Sequence, residues 1–175
     1  RQAIEFEATL NHILENVRDS LDETQILQRA VQSLADALQV DGCYAGVYDL
    51  TQRPSEVKYT STGRLPVPPG RVYDMDSEPD IYTPLLNGNH IQFSWNTLAP
   101  AGQAAHLDDV PTCILACPIL DDQDIWGDLW IYQSGRNQFN PDEVRLVQQV
   151  ANQCAIAIRQ ARLYRASQNQ VEALE

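Results

Sequence analysis

The chain has 175 residues, 43% apolar and 21% charged, which fits one globular domain with helical extensions. No apolar run approaches the ~20 residues that a membrane-spanning helix needs. Twelve basic against twenty-four acidic side chains give a formal net charge of -12, which repels phosphate backbones and anionic lipid surfaces and so argues against nucleic-acid and membrane partners.

The first twenty residues carry Glu5, Glu7, Asn11, Glu15 and Asp19 in place of an apolar signal-peptide core, so a cytoplasmic setting is expected. Arg1 stands where an initiator Met is usual, and the last helical pattern runs to Glu175 without a stop signal. Both features suggest an excerpt from a longer protein. Phe6, Leu10, Ile13, Leu14, Val17 and Leu21 recur at steps of three and four, a narrow stripe that suits either a coiled-coil seam or packing on the domain. Asp22 is placed to cap a second helix whose apolar face, from Ile26 to Leu38, is wide enough for a core. Asp41-Gly42 ends it with a turn.

Residues 43–50 (CYAGVYDL) and 56–62 (EVKYTST) read as two hairpin strands across the Arg53-Pro54 turn. Residues 65–80 hold four prolines and predict a long loop of the kind that often covers a binding site. A short helix over Ile81 to Leu86, a third strand over 89–96 and a second irregular stretch follow. Two further strands, 112–120 and 124–133, are joined at Asp121, Asp122 and Gln123, for about five strands in all. Asn140 then caps a helix with Pro141 at its first position and Asp142-Glu143 in its first turn. Its apolar period thins after Leu163, which predicts a stalk projecting beyond the body.

Two end helices, a meandering sheet, long mid-chain loops, Pro118, Trp126-Gly127 and the helix NPDEVRLVQQVANQCAIAI together resemble the GAF domain family, in particular the GAF modules of cyanobacterial and phytochrome-type two-component sensors. The resemblance covers roughly residues 22–165, with residues 1–21 as a linker or dimerisation helix and 166–175 as the start of a signalling helix. It implies an α+β fold: a central antiparallel sheet of five to six strands, terminal helices on one face, loops and a short helix over the other. It further implies a homodimer through the terminal helices, a small-molecule ligand above one sheet face, and an output domain in the same chain, such as a histidine kinase.

In bilin-binding relatives a Cys-His pair tethers the chromophore. The matching positions here are Ala101 and Gly102, and no cysteine lies between Cys43 and Cys113, so covalent bilin attachment is not expected. The expected cofactor set is empty. Strand parity puts Cys113, Leu115 and Cys117 on one face, and two thiols four residues apart lie about 13 Å from each other, too far for a disulfide or one metal ion. His12, His90 and His106 form no metal pattern, and GxSxG, GxxxxGK and GxGxxG are absent, so neither a metal nor a catalytic residue is assigned.

Parity places Trp126, Asp128, Trp130 and Tyr132 on one face of the last strand, and the resemblance puts that face against the ligand pocket with Ile114 and Ala116 beside it. Trp130, Tyr132, Asp128, Ala116 and Ile114 are thus the candidate ligand-contacting residues. The rings either stack on a planar ligand or fill the cavity, since each buries roughly 150–250 Å². Asp128 needs a partner on a covered face, with Arg64, Arg71 and His106 as the candidates. The functional expectation is a non-enzymatic sensory module. The alternatives are a degenerate module that only spaces a dimer, and a thiol or iron-sulfur redox sensor.

Overall fold

The computed structural model describes residues 2–18, 20, 22–61, 69–94 and 112–174. Helices α1 (Gln2–Arg18) and α2 (Glu23–Leu38) open the chain, and α2 starts where the Asp22 carboxylate accepts the Thr24 amide at 3.0 Å. Strands β1 (Gly42–Tyr48), β2 (Pro54–Thr60) and β3 (Val72–Asp74) follow. A single 3-10 turn (Met75–Ser77) leads into the short helix α3 (Pro79–Leu86). Strands β4 (Ile91–Ser94), β5 (Thr112–Leu120) and β6 (Ile125–Ser134) precede the long helix α4 (Pro141–Leu174).

The sheet is antiparallel throughout and runs β3-β2-β1-β6-β5-β4. Among the described residues the sheet has six strands, within the five to six that the family resemblance implies, and the one beyond the five traced in chain order comes from the proline-rich segment. Its prolines cluster at 66–69 and at Pro79, so residues 72–77 between them are free to pair, and Val72–Asp74 adds to the edge of β2. Pro79 then takes the first turn of α3, where a missing amide costs nothing.

Helices α1, α2 and α4 share one apolar core with Cys43, Ala45, Leu115, Cys117, Leu129 and Ile131 of the sheet. Of the two uses open to the α1 stripe, packing on the body is the one seen: Ile13 and Val17 are buried against that core. The opposite face carries a second cluster in which Ile81, Tyr82 and Leu85 of α3 and Met75 close over Tyr44, Tyr48, Val57, Ile114, Ala116 and Trp130. The Asn140 side chain accepts the Glu143 amide at 2.8 Å while the Glu143 carboxylate accepts the Asn140 amide at 2.9 Å, a reciprocal cap that fixes where α4 begins. Among the described helices none is long and apolar enough to cross a membrane.

Candidate functional site

Strand β6 is the centre of the site. It pairs with β1 so that Asp128 lies opposite Gly46 and Trp130 opposite Tyr44, and with β5 so that Trp130 also flanks Ala116 and Tyr132 flanks Ile114. All five predicted residues therefore meet on the face under α3. They are packed rather than open: Trp130 stacks on Tyr44 with ring centres 5.6 Å apart and planes 7° apart, and Phe93 meets it edge-on at 6.2 Å. Trp130 and Ile114 are 2% exposed, and Ala116 and Asp128 are wholly buried. Tyr132 is partly exposed and lies across Gly42, where a Cβ would stand 2.2 Å from its hydroxyl.

Asp128 is a charged residue type at the bottom of an aromatic layer. Its Oδ2 accepts the Tyr48 hydroxyl at 2.5 Å, while Oδ1 has no partner in hydrogen-bonding geometry. The Oδ1 atom occupies the niche over Gly46, where an added Cβ would come within 2.5 Å of it and 2.9 Å of the Ser55 hydroxyl. Burial pushes the acid up from 3.8 to about 7, against the opposing pull of the Tyr48 hydroxyl, the Trp130 side chain and the Gly46 backbone. Burial and the neighbouring carboxylate in turn push the Tyr44 and Tyr48 hydroxyls well above the usual phenol range. Tyr82 from α3 packs edge-on to Tyr48 at 6.1 Å and completes the layer.

Of the three basic partners expected for Asp128, only Arg71 lies within the described residues, and it is not on the carboxylate. Arg71 lies over the Tyr73 ring at 5.2 Å instead, and Arg64 and His106 fall outside the described residues, as do Ala101 and Gly102. The partner is Tyr48, a residue that alternation in CYAGVYDL places with Tyr44 and Gly46 on one face. The signal was in the sequence, but its meaning depended on the non-local pairing of β1 with β6.

Trp126 does not share the face of Asp128 and Trp130. Its expected place beside Asp128 and Trp130 is lost because the register shifts at the end of β5: Ile119 pairs with Gly127 and Leu120 with Ile125, leaving Trp126 as the extra residue of a bulge. The bulge reverses parity, so Ile125 packs in the tyrosine layer and Trp126 on the helix side. There Arg162 of α4 covers its ring at 4.0 Å and Arg159 at 5.7 Å. Arg159 binds Asp121 and Asp124 of the β5–β6 turn, and Arg162 holds Glu23 at the start of α2 at 2.8 Å. Gly127 is required beside the bulge, because a Cβ there would stand 1.9 Å from the Gly46 carbonyl oxygen.

All four cysteines are buried on the helix side, as parity indicated for Cys113 and Cys117. Cys43 lies close enough to Cys117 and Cys154 for their charges to raise its pKa, and burial drives every thiol upward, Cys113 to about 11 and Cys154 to about 12. Such thiols are protonated and unreactive at neutral pH. A separate groove of about 560 Å³ lies between α1 and the start of α4, lined by Phe6, Leu38 and Leu146 with Glu5, Asp142 and Glu143 at its rim. It is remote from the tyrosine layer.

The sequence matches the GAF domain family over residues 22–158. The chain belongs to the GAF domain family. The match spans α2 to the middle of α4, and with it the sheet and both of its covered faces. No curated protein matched the chain by sequence. Among solved GAF-like structures, free methionine-R-sulfoxide reductase from Neisseria meningitidis, in complex with its substrate, superposes with a TM-score of 0.76 at 13% identity and 94% coverage of both chains. The phycoerythrobilin-bound GAF domain of a cyanobacterial phytochrome gives 0.70 at 20% identity, covering 91% of this chain and 97% of that one. Residues 122 to 287 of a methyl-accepting chemotaxis protein give 0.70 at 17% identity, covering 88% and 99%. These likenesses establish a shared fold, one found in phytochrome and chemotaxis proteins.

Proposed function

We propose that this GAF domain is a non-enzymatic sensory module of a signal-transduction protein. A change of ligand or state at the tyrosine layer is relayed through terminal helices paired with those of a second copy. The observation that carries this reading is the end of α4. Its inward residues are buried up to Ala161, after which every residue from 162 to 173 is exposed. That projecting part includes Leu163 (64% exposed), Tyr164 and Val171, and Ile156 just before it continues the stripe. Ile156 and Leu163, like Tyr164 and Val171, are seven residues apart, the repeat of a coiled-coil seam.

A lone helical extension of about 12 residues is marginal in water, and a second copy laid along the same stripe supplies the missing packing. The relay then has a physical route. Strand β6 carries Asp128 and Trp130 on one face and, through the bulge, Trp126 on the other, against the base of the exposed part of α4. A ligand shifts such a system by its differential affinity for two helix arrangements. A two-component histidine kinase in the cytoplasm is the setting that suits this design. Sedimentation across a concentration series tests it: a concentration-dependent dimer is expected, and a strict monomer at every concentration would overturn the relay.

The tight packing of Tyr44, Trp130 and Phe93 supports a second reading, a module that only spaces a dimer and takes no ligand. A thermal-shift series with cyclic nucleotides, free bilins and amino acids separates the two, because a ligand bound by the folded state raises the melting temperature. The burial of all four thiols gives the redox reading no support.

A further inference from the structure

A wholly buried carboxyl group has three ways to persist: an ion partner, a full set of hydrogen bonds, or a proton. Asp128 has no ion partner among the described residues: the Tyr48 hydroxyl donates to Oδ2, the Trp130 side chain and the Gly46 backbone lie near enough to favour the ionised form, and Oδ1 still lacks a partner in hydrogen-bonding geometry, so the set is incomplete. The titratable groups that bear on it are Tyr44 and Tyr48 of β1, Tyr82 of α3 and Cys117 of β5, with Tyr73 of β3 and Tyr132 of β6 reaching it through Tyr44. Burial holds Tyr44, Tyr48, Tyr82 and Cys117 in their protonated forms near pH 7, and Glu78 at the start of α3 adds a further negative charge beside Tyr82. No basic group offsets the carboxylate among the described residues.

We propose that the buried Asp128–Tyr48 pair is a proton-operated latch on the tyrosine layer: with the carboxyl group protonated the layer stays closed under α3, and ionisation favours an opened layer in which water reaches the carboxylate.

The lid is suited to this. Helix α3 has eight residues, holds the sheet through Ile81, Tyr82 and Leu85, and contains Pro84, which removes one of its few internal hydrogen bonds. Opening it hydrates Asp128 without disturbing the helix-side core. The outcome also travels. Two residues along β6 from Asp128, the bulged Trp126 lies under Arg162 of α4, so a change in β6 at the carboxylate meets the base of the exposed helix. The latch deepens the sensory reading by naming the proton as the effector at that face, and it rests on that reading for its output.

The closed state holds the proton up to about pH 7 and the open state releases it near 3.8, so the open population rises about tenfold per pH unit in the acid range and levels off above neutrality. The test is amide hydrogen exchange of residues 79–86 in the whole chain from pH 5 to 8, corrected for the intrinsic rate, beside a carbon-13 titration of the Asp128 carboxyl group. The expected result is a midpoint near neutrality and exchange that rises and then levels, with both features absent in Asp128→Asn. Tyr48→Phe serves as the second variant. Losing a hydroxyl that favours the ionised form moves the midpoint to higher pH, a displacement that general loosening of the fold would not produce. An Asp128 midpoint below pH 5, or corrected exchange in α3 that is independent of pH, overturns the latch. Either result leaves helix pairing, and with it the sensory reading, to be judged by sedimentation.

Discussion

Asp128→Asn should change how the stability of the domain depends on pH, and the structure sets both sign and size. The acid is held up to about 7 in the folded chain against 3.8 when unconstrained, so from pH 4 to 7 the folded state keeps a proton that the unfolded state has lost. A raised pKa contributes stability that is complete below the unfolded value and is lost as pH rises through the folded one. Between pH 5 and pH 8 that loss integrates to about 2–3 kcal/mol, or roughly 5–10 °C in melting temperature for a chain of this size. Asp121 works in the other direction. Its contact with Arg159 holds it well below the usual carboxylate range, so its contribution is present above the unfolded pKa and fades in acid. Subtracting the variant from the wild type cancels that term, since the two sites do not touch. The assay is urea denaturation of both proteins at half-unit steps from pH 5 to 8. The difference in unfolding free energy should drift in favour of the variant with rising pH. Parallel curves would refute the assignment of a buried, proton-holding carboxyl group.

Gly127→Ala should cost about 3 kcal/mol or more by urea denaturation, because its Cβ would overlap the Gly46 carbonyl and force β1 from β6; a cost under about 1 kcal/mol would mean that the bulge is not as described. Trp126→Ala should destabilise the domain by about 1–3 kcal/mol, more than Arg162→Ala, since the half-buried indole supplies most of the packing and an exposed cation over a ring contributes about 0.5–1 kcal/mol. Equal effects would assign the node to charge instead. The native chain should release almost no thiol equivalents to an aromatic disulfide at pH 7.5 and four after unfolding in urea; rapid reaction of the folded chain would contradict the burial of Cys43, Cys113, Cys117 and Cys154.

Much of this architecture was legible from local patterns. The two-residue alternation of β5 separated Cys113 and Cys117 from Ile114 and Ala116 correctly, because both neighbours of that strand are antiparallel and its register is regular up to Ile119. The Asn140-Pro141 start of α4 was equally clear, since a helix cap is decided within four residues. Parity failed at Trp126, where one extra residue reverses the faces. A bulge is defined by its partner strand, and nothing in IWGDLW marks it except the glycine that the close approach requires. The partner of Asp128 was missed for a related reason. Tyr48 lies 80 residues away, and a search for opposite charge overlooks a neutral donor that tolerates a carboxyl group raised toward neutrality. The four prolines of residues 65–80 predict a loop, but they flank the strand Val72–Asp74 instead of interrupting it. The α1 stripe was ambiguous in kind: a narrow three-four repeat packs equally well on a second copy or on its own α2 and α4.

The central claim is that two copies meet along the exposed stripe of α4. The buried native thiols permit a direct measurement: Asn169→Cys, on the side of the helix away from Leu163 and Val171, gives one accessible site for a spin label. Dipolar spectroscopy of the labelled chain should show a narrow intermolecular distance consistent with paired helices whose axes lie about 8–10 Å apart. Leu163→Glu with Val171→Glu should abolish it. Absence of intermolecular coupling in the labelled chain, at concentrations where sedimentation would detect a dimer, would contradict the account.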